Sequence, residues 1–325
     1  MRALVTGGTG FVGSHLVDEL LKNDYTVKVL IRLTSNLSYL KGKPVSLITG
    51  DLSDVSSLIA ACKGNDVIFH VAALPHEQRH LRSFYKVNTK GTKNLLEAST
   101  QSGVRHFVLM STTSIYGFPP ITILKEEHAT MPKTKYGRSK YLAEQLLWHY
   151  GKTHNMHVAA VRAPWITGPR NYKTPHIIRT IEEGRFFYVR TPQTVISIVD
   201  VRDVADCLRH AAEHPETNGQ AMNVKSFDCT VQAYIEAIAA KLSVSSPTRT
   251  LPLQTALLLA ACAEAAWLPT GREPPITRHQ VRTLGTTRTF DISRALAIGY
   301  NPRHTMEETI SDTIDWAQKT SGSFT

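Results

Sequence analysis

Cysteine is scarce: the 325 residues carry four, Cys62, Cys207, Cys229 and Cys262. None stands in a C-x-x-C pair, so neither a zinc knuckle nor a disulfide framework is expected, and the four are read as buried, reduced thiols of a cytoplasmic protein. His76, His80 and His128 are read as scattered surface histidines, and no metal site is expected. Lys and Arg exceed Asp and Glu, giving a formal charge of +10, yet no run of five or six consecutive cations occurs. Dispersed charge of this kind is a solvated surface, and no nucleic-acid partner is expected. Long apolar runs are missing as well. The most apolar stretch, residues 251–268, is broken by Pro252, Gln254 and Glu264, which argues against an integral membrane segment. The N-terminal residues lack the charged leader and apolar region of a secretory signal. No repeat or low-complexity tract is evident.

What is present is alternation. Apolar, strand-like segments fall at residues 2–6, 26–31, 45–49, 66–70, 106–110 and 157–162, and helical patterns fill the gaps, notably over 11–22, 83–102 and 134–154. Strand and helix in alternation predict an α/β fold, a doubly wound parallel sheet with helices on both faces. After Arg162 the pattern breaks at Pro164, Gly168, Pro169 and Pro175. A dinucleotide-binding domain over 1–168 and a smaller substrate lobe over 169–325 are expected. Segments near 195–224 are expected to return to the first sheet, so that the two parts interleave. Helices are expected at 230–242, 253–267 and 306–319.

The first strand runs into Thr6-Gly7-Gly8-Thr9-Gly10-Phe11-Val12-Gly13. Gly7, Gly10 and Gly13 stand three apart, between a strand and a helix. In that context the first glycine permits the tight turn, the second lets backbone approach a pyrophosphate, and the third lets helix pack on strand. The N–H groups of the helix N-terminus, reached through Thr9, Phe11 and Val12, favour an anion. No Gly-Lys-Ser/Thr follows, which argues against a nucleoside triphosphatase loop. At the end of the second strand the chain reads Val29-Leu30-Ile31-Arg32, with no acid to grip a ribose 2′-hydroxyl. Arg32 offers a fork to a 2′-phosphate instead, so NADP(H) is favoured, with NAD(H) as the alternative. Asp51 either accepts from the adenine amine or caps the helix that begins near Asp54.

Further on, Tyr136 and Lys140 stand at i and i+4 in a helical stretch, which puts phenol and ammonium on one face. A phenol ordinarily titrates near ~10. A neighbouring cation favours the phenolate, and Tyr136 could then exchange a proton with a carbonyl or hydroxyl oxygen. A hydroxyl cluster, Ser111-Thr112-Thr113-Ser114, ends the 106–110 strand at the sheet edge where ligands bind in open parallel sheets.

Together these motifs resemble the extended short-chain dehydrogenase/reductase family across nearly the whole chain. Further matching pieces are Gly50-Asp51-Leu52, His70-Val71-Ala72-Ala73, Asn88-Thr89-Lys90-Gly91-Thr92-Lys93-Asn94, Tyr116-Gly117 and Gly168-Pro169-Arg170. The resemblance implies a nicotinamide cofactor contacted by Leu52, Val71, Ala72 and Ala73 as well as the glycine loop, Tyr136 and Lys140. It implies Thr112, four residues before Tyr116, as the catalytic hydroxyl, with Ser111 as runner-up, and a homodimer through the 83–102 and 134–154 helices. Family dehydratases carry an Asp-Glu pair where this chain has Thr113 and Ser114, so dehydration is not expected. Sugar-nucleotide enzymes carry an asparagine where Trp165 stands. The C-terminal third, with Thr289-Phe290-Asp291, is closest to the 3β-hydroxysteroid dehydrogenase-like branch. The implied reaction is interconversion of a secondary alcohol and a ketone on a partly apolar small molecule, with Ser111, Thr113, Trp165 and Arg288 at the substrate; the alternative is a sugar-nucleotide 4-epimerase.

Overall fold

The computed structural model describes residues 1–74, 81–267 and 274–320. Six strands, β1 (Arg2–Thr6), β2 (Thr26–Ile31), β3 (Val45–Thr49), β4 (Val67–His70), β5 (His106–Thr112) and β6 (His157–Ala163), join the Gln220–Asn223 strand in one seven-stranded sheet. Its order is Gln220–Asn223, β6, β5, β4, β1, β2, β3, and every pairing is parallel. Strand order reverses between β1 and β4, and the crevice beyond their C-terminal ends is where such sheets take ligands.

Both faces of the sheet are buried except along the edge strand β3, as the period of two requires when helices cover each side. On one face Ala3, Val5, Val29, Phe69, Val108 and Val161 pack under α1 (Phe11–Lys22) and the Val201–Glu213 helix. On the other, Leu4, Leu30, Ile68, Phe107, Leu109 and Ala160 pack under α2 (Val55–Cys62), α3 (Gly91–Gln101) and α4 (Lys135–His154). Each fully buried Leu, Ile or Phe of this kind contributes about 1.5–3 kcal/mol.

Three segments depart from the pattern-based expectation. Val195–Asp200 does not rejoin the large sheet; it is the middle strand of a three-stranded sheet, parallel to Trp165–Thr167 and antiparallel to Phe227–Thr230. Its inward residues Ile196 and Ile198 meet Ile181, Tyr188, Tyr234, Ile235 and Ile314 in a separate core, and that apolar demand places the strand. The helix expected over 83–102 is divided: a π-helical stretch Tyr85–Lys90 precedes α3. The cysteines also divide. All four are free, but only Cys62 and Cys207 are buried, Cys229 is intermediate and Cys262 is exposed. Cys262 lies on the outer face of the Leu253–Trp267 helix, beside Leu258, which is 65% exposed. Among the described residues no helix is long and apolar enough to cross a membrane.

Candidate active site

The turn after β1 is shaped for close approach. Gly7 has φ +74°, and a Cβ there would stand 2.7 Å from the Ala72 amide nitrogen, so only glycine allows the β1 and β4 ends to close together. At Gly13 a Cβ would fall 2.1 Å from the Gly7 carbonyl oxygen, which fixes how closely α1 sits on the turn. Gly10 caps α1 without a side-chain hydrogen bond, leaving the first N–H groups directed outward at the positive end of the helix dipole. These residues fit a dinucleotide pyrophosphate. Thr9, Phe11 and Val12 line the same turn; Val71, Ala72 and Ala73, all half-buried, face it from the end of β4.

At the other end of the crevice Arg32 is exposed and its amide donates to Ser35 Oγ at 2.9 Å. Asp51 accepts from the amide and hydroxyl of Ser53 at 2.8 and 2.6 Å. Those bonds hold its carboxyl below the usual range, with smaller pulls from Arg32 and Lys86. The helix-capping alternative for Asp51 is overturned: Asp54 caps α2, accepting from the Ser56 and Ser57 amides. Leu52 is held by Gly91, whose Cβ would stand 3.0 Å from it, and by Asn94, which donates to the Leu52 carbonyl at 2.8 Å.

Helix α4 carries Tyr136 and Lys140. Its N-cap Thr134 accepts from the Gly137 amide at 2.9 Å, and Gly137 lies so close to the Ser114 carbonyl that a Cβ would meet it at 2.8 Å. This contact seats the Tyr136 end of α4 against the short 3-10 turn Thr113–Tyr116 that follows Thr112. Thr112 Oγ1 accepts from the Ser114 amide at 3.2 Å, a bond that leaves its own proton to donate. Phe84 packs edge-on against the Tyr136 ring at 6.2 Å. Lys140 is 2% exposed, and burial pulls its ammonium down to about 8, with Glu144 opposing.

Ser111 and Thr113, expected at the substrate, are each only 2% exposed. Ser111 is a correction: its hydroxyl donates to Glu144 inside the protein, because β5 alternates and Ser111 faces the opposite way from Thr112. Glu144 is in turn clamped by Arg162, Nε to Oε1 at 3.1 Å and Nη2 to Oε2 at 2.7 Å. Arg162 also donates to Tyr116 Oη at 2.8 Å, and Tyr116 donates to Asn223 Oδ1 at 2.8 Å. Trp165 stands on the Trp165–Thr167 strand of the three-stranded sheet: its ring lies 5.8 Å from Tyr234 and borders a cavity of about 20 Å³. Arg288 lies beside the same sheet, its amide donating to the Val195 carbonyl at 3.0 Å. Its guanidinium lies 4.8 Å from the Phe118 ring and 5.5 Å from Phe290 and donates to the Gly117 carbonyl. No carboxylate pairs with it among the described residues, and burial pulls it down to about 10.

Asn88 has a role that its motif does not reveal. Buried in the π-helical stretch, it accepts from the Leu74 amide at 2.7 Å and donates to Ser139 Oγ at 3.0 Å, while Ser139 donates to the Tyr136 carbonyl at 2.8 Å. The only sequence signal was its presence in the Asn88–Asn94 motif. His76 and His80, four apart around Glu77, lie outside the described residues; among the described ones no group of three or more His, Cys, Asp or Glu could hold a metal.

The model of the NAD dependent epimerase/dehydratase family matches residues 3–224. A putative dihydroflavonol 4-reductase of Synechocystis sp. is 28% identical, covering 97% of this chain and 94% of the relative. The mouse (Mus musculus) decarboxylating sterol-4-alpha-carboxylate 3-dehydrogenase is 27% identical over 96% of this chain and 90% of its own. Among solved structures, UDP-glucuronic acid 4-epimerase from Bacillus cereus, in complex with NAD, superposes with a TM-score of 0.77 at 22% identity, covering 98% and 99% of the two chains.

Proposed function

The chain belongs to the NAD dependent epimerase/dehydratase family of extended short-chain dehydrogenases/reductases, and from that premise we propose that it interconverts a secondary alcohol and a ketone on a partly apolar substrate, with NADP(H) as the favoured cofactor and NAD(H) as the alternative. The observation that carries this reading is the pairing on α4: Lys140 is buried one turn from Tyr136, while the nearby Glu144 is already taken by Arg162 and Ser111. The ammonium is therefore left to act on the phenol and on ribose hydroxyls.

Tyr136 gives its proton to the substrate carbonyl oxygen, or takes one from the hydroxyl in the reverse direction. The charge of Lys140 favours the phenolate that remains. Thr112 donates to the same oxygen and stabilises negative charge developing there. When bound, the nicotinamide supplies hydride transfer. The Gly7, Gly10 and Gly13 turn would hold the pyrophosphate, Arg32 the 2′-phosphate and Asp51 the adenine amine. Trp165 beside Tyr234 supports an apolar substrate region, as do the names of the reductase and sterol dehydrogenase relatives. We also propose a homodimer contact through the 83–102 and 134–154 helices; on α4, Leu146, Trp148 and Tyr150 remain only partly buried.

Arg288 favours a second reading. A half-buried guanidinium with no carboxylate partner among the described residues suits a phosphate or carboxylate on the substrate, and a sugar-nucleotide 4-epimerase would use it so. One experiment separates the two: release any bound nucleotide, then titrate NADPH and NADH into wild type, Arg32→Ala and Tyr136→Phe and assay apolar ketones beside UDP-sugars. Tyr136-dependent NADPH oxidation, reduced by about 10²–10⁴ in Tyr136→Phe, supports the reductase. Retained NAD with UDP-sugar interconversion and no net NADH overturns it.

A further inference from the structure

At the C-terminal end of β4 one buried histidine touches both walls of the crevice. His70 is fully buried; its Nδ1 lies 2.7 Å from Thr6 Oγ1 and its Nε2 lies 2.9 Å from Thr92 Oγ1. The two hydroxyls have further partners that fix direction. Thr6 Oγ1 accepts from the Ala72 amide at 3.2 Å, and Thr92 Oγ1 donates to the Asn88 carbonyl at 2.6 Å.

Each hydroxyl has one proton. Because the Thr92 proton goes to Asn88, Thr92 must accept from His70 Nε2–H. His70 Nδ1 is then unprotonated and accepts the Thr6 proton. This assignment alone leaves no hydroxyl proton without an acceptor, and it yields a chain in one direction: Ala72 N–H to Thr6, Thr6 to His70, His70 to Thr92, Thr92 to Asn88. A doubly protonated ring would reverse the Thr6 link and set a second cation near Lys140 in a dry interior, which is costly.

We propose that His70 is a positioning residue for the cofactor site: as the neutral Nε2–H tautomer it ties the glycine-turn strand and the 71–74 segment, through Thr6 and Ala72, to the π-helical stretch and α4, through Thr92 and Asn88. Asn88 continues the connection, since it grips Leu74 at both amide and carbonyl and reaches Ser139, the residue before Lys140. The residues joined are those that face a dinucleotide: Gly7 abuts Ala72, and Lys140 follows Ser139 on α4. His70 touches no substrate; it acts by holding these pieces at one spacing. The inference rests on the dinucleotide reading of the crevice, though the tautomer itself does not.

The test has two arms. In the first, ¹⁵N-histidine NMR of the whole protein, with His70→Gln to assign the signal, reads the ring directly. A neutral Nε2–H signal that does not titrate between pH 5.5 and 8, within the range where histidines ordinarily change charge, is expected; an Nδ1–H or titrating ring overturns the inference. In the second, NADPH binding is followed by fluorescence in Thr92→Val and Thr92→Ser. Valine keeps the shape but removes both the acceptor for His70 and the donor to Asn88, and should weaken binding about tenfold, as one unsatisfied buried donor does. Serine restores the hydroxyl and should bind within about twofold of wild type. Thr92→Val binding NADPH as wild type does, while folded by circular dichroism, overturns the positioning role. A wild type that binds neither NADPH nor NADH refutes the reading of the crevice instead, and the NMR result then stands by itself.

Discussion

Glu144 and Arg162 form a bidentate ion pair in the interior, with side chains 0% and 7% exposed, and it joins α4 to β6 directly behind the hydroxyl cluster. Ser111 and Tyr116 complete its hydrogen bonds, so neither charge is left bare. Removing one partner strands the other. Glu144→Ala is expected to destabilise the protein by about 3–5 kcal/mol, measured as a lower denaturant midpoint at unchanged slope. A loss below about 1 kcal/mol, the value of a surface pair, would show the pair to be solvated.

Lys140 sets function against stability. Burial lowers its folded-state value to about 8, against about 10.4 in an unfolded chain. Between these values the unfolded state binds more protons, so this group's contribution makes stability rise with pH through that window and leaves the fold penalised below it. Lys140→Met should therefore raise the melting temperature at pH 7 while abolishing the Tyr136-dependent reaction. In wild type, kcat/KM should fall as pH passes about 8, because the free enzyme loses the cation that favours the phenolate. A Lys140→Met protein melting below wild type would contradict the charge penalty.

Gly13 tests the turn. An added methyl meets the Gly7 carbonyl oxygen at 2.1 Å, a backbone atom that cannot swing aside as a side chain would. Gly13→Ala should cost about 1–3 kcal/mol and should remove nucleotide binding in a calorimetric titration. Gly103→Ala is the control, since a Cβ there meets nothing within 4 Å; its positive φ of +72° costs some stability without touching the crevice.

The thiols should separate by accessibility. Cys262 is exposed, whereas burial pushes Cys62 up to about 11 and raises Cys207 further. A disulfide reagent at pH 8 should label Cys262 within minutes and reach Cys62 and Cys207 only on unfolding. Rapid labelling of Cys207 in the native protein would place it outside the core described for it.

The sequence by itself determined what local spacing can carry. Short apolar runs alternating with helical patterns marked the strands of the parallel sheet, three glycines three apart marked the turn at Gly7, Gly10 and Gly13, and an i, i+4 spacing put Tyr136 and Lys140 on one helix face. These features depend on neighbours within a turn or a strand, so composition and period suffice to find them. Only the tertiary structure decided the rest. Ser111 and Thr112 are both hydroxyl residues, and their fates diverge because neighbours on β5 face opposite ways and Glu144, 33 positions later, stands on the side of Ser111. Val195–Asp200 carries the same apolar signature as the sheet strands and pairs elsewhere, because the second lobe needs a core of its own. His70 and Asn88 stand in matching motifs and Arg288 is expected at the substrate, yet what each one holds is not legible, because partners lie 64, 51 and 171 residues away. Hydrogen bonds and ion pairs act over a few ångströms of space rather than a few positions of chain, so they become readable only once folding has brought those positions together.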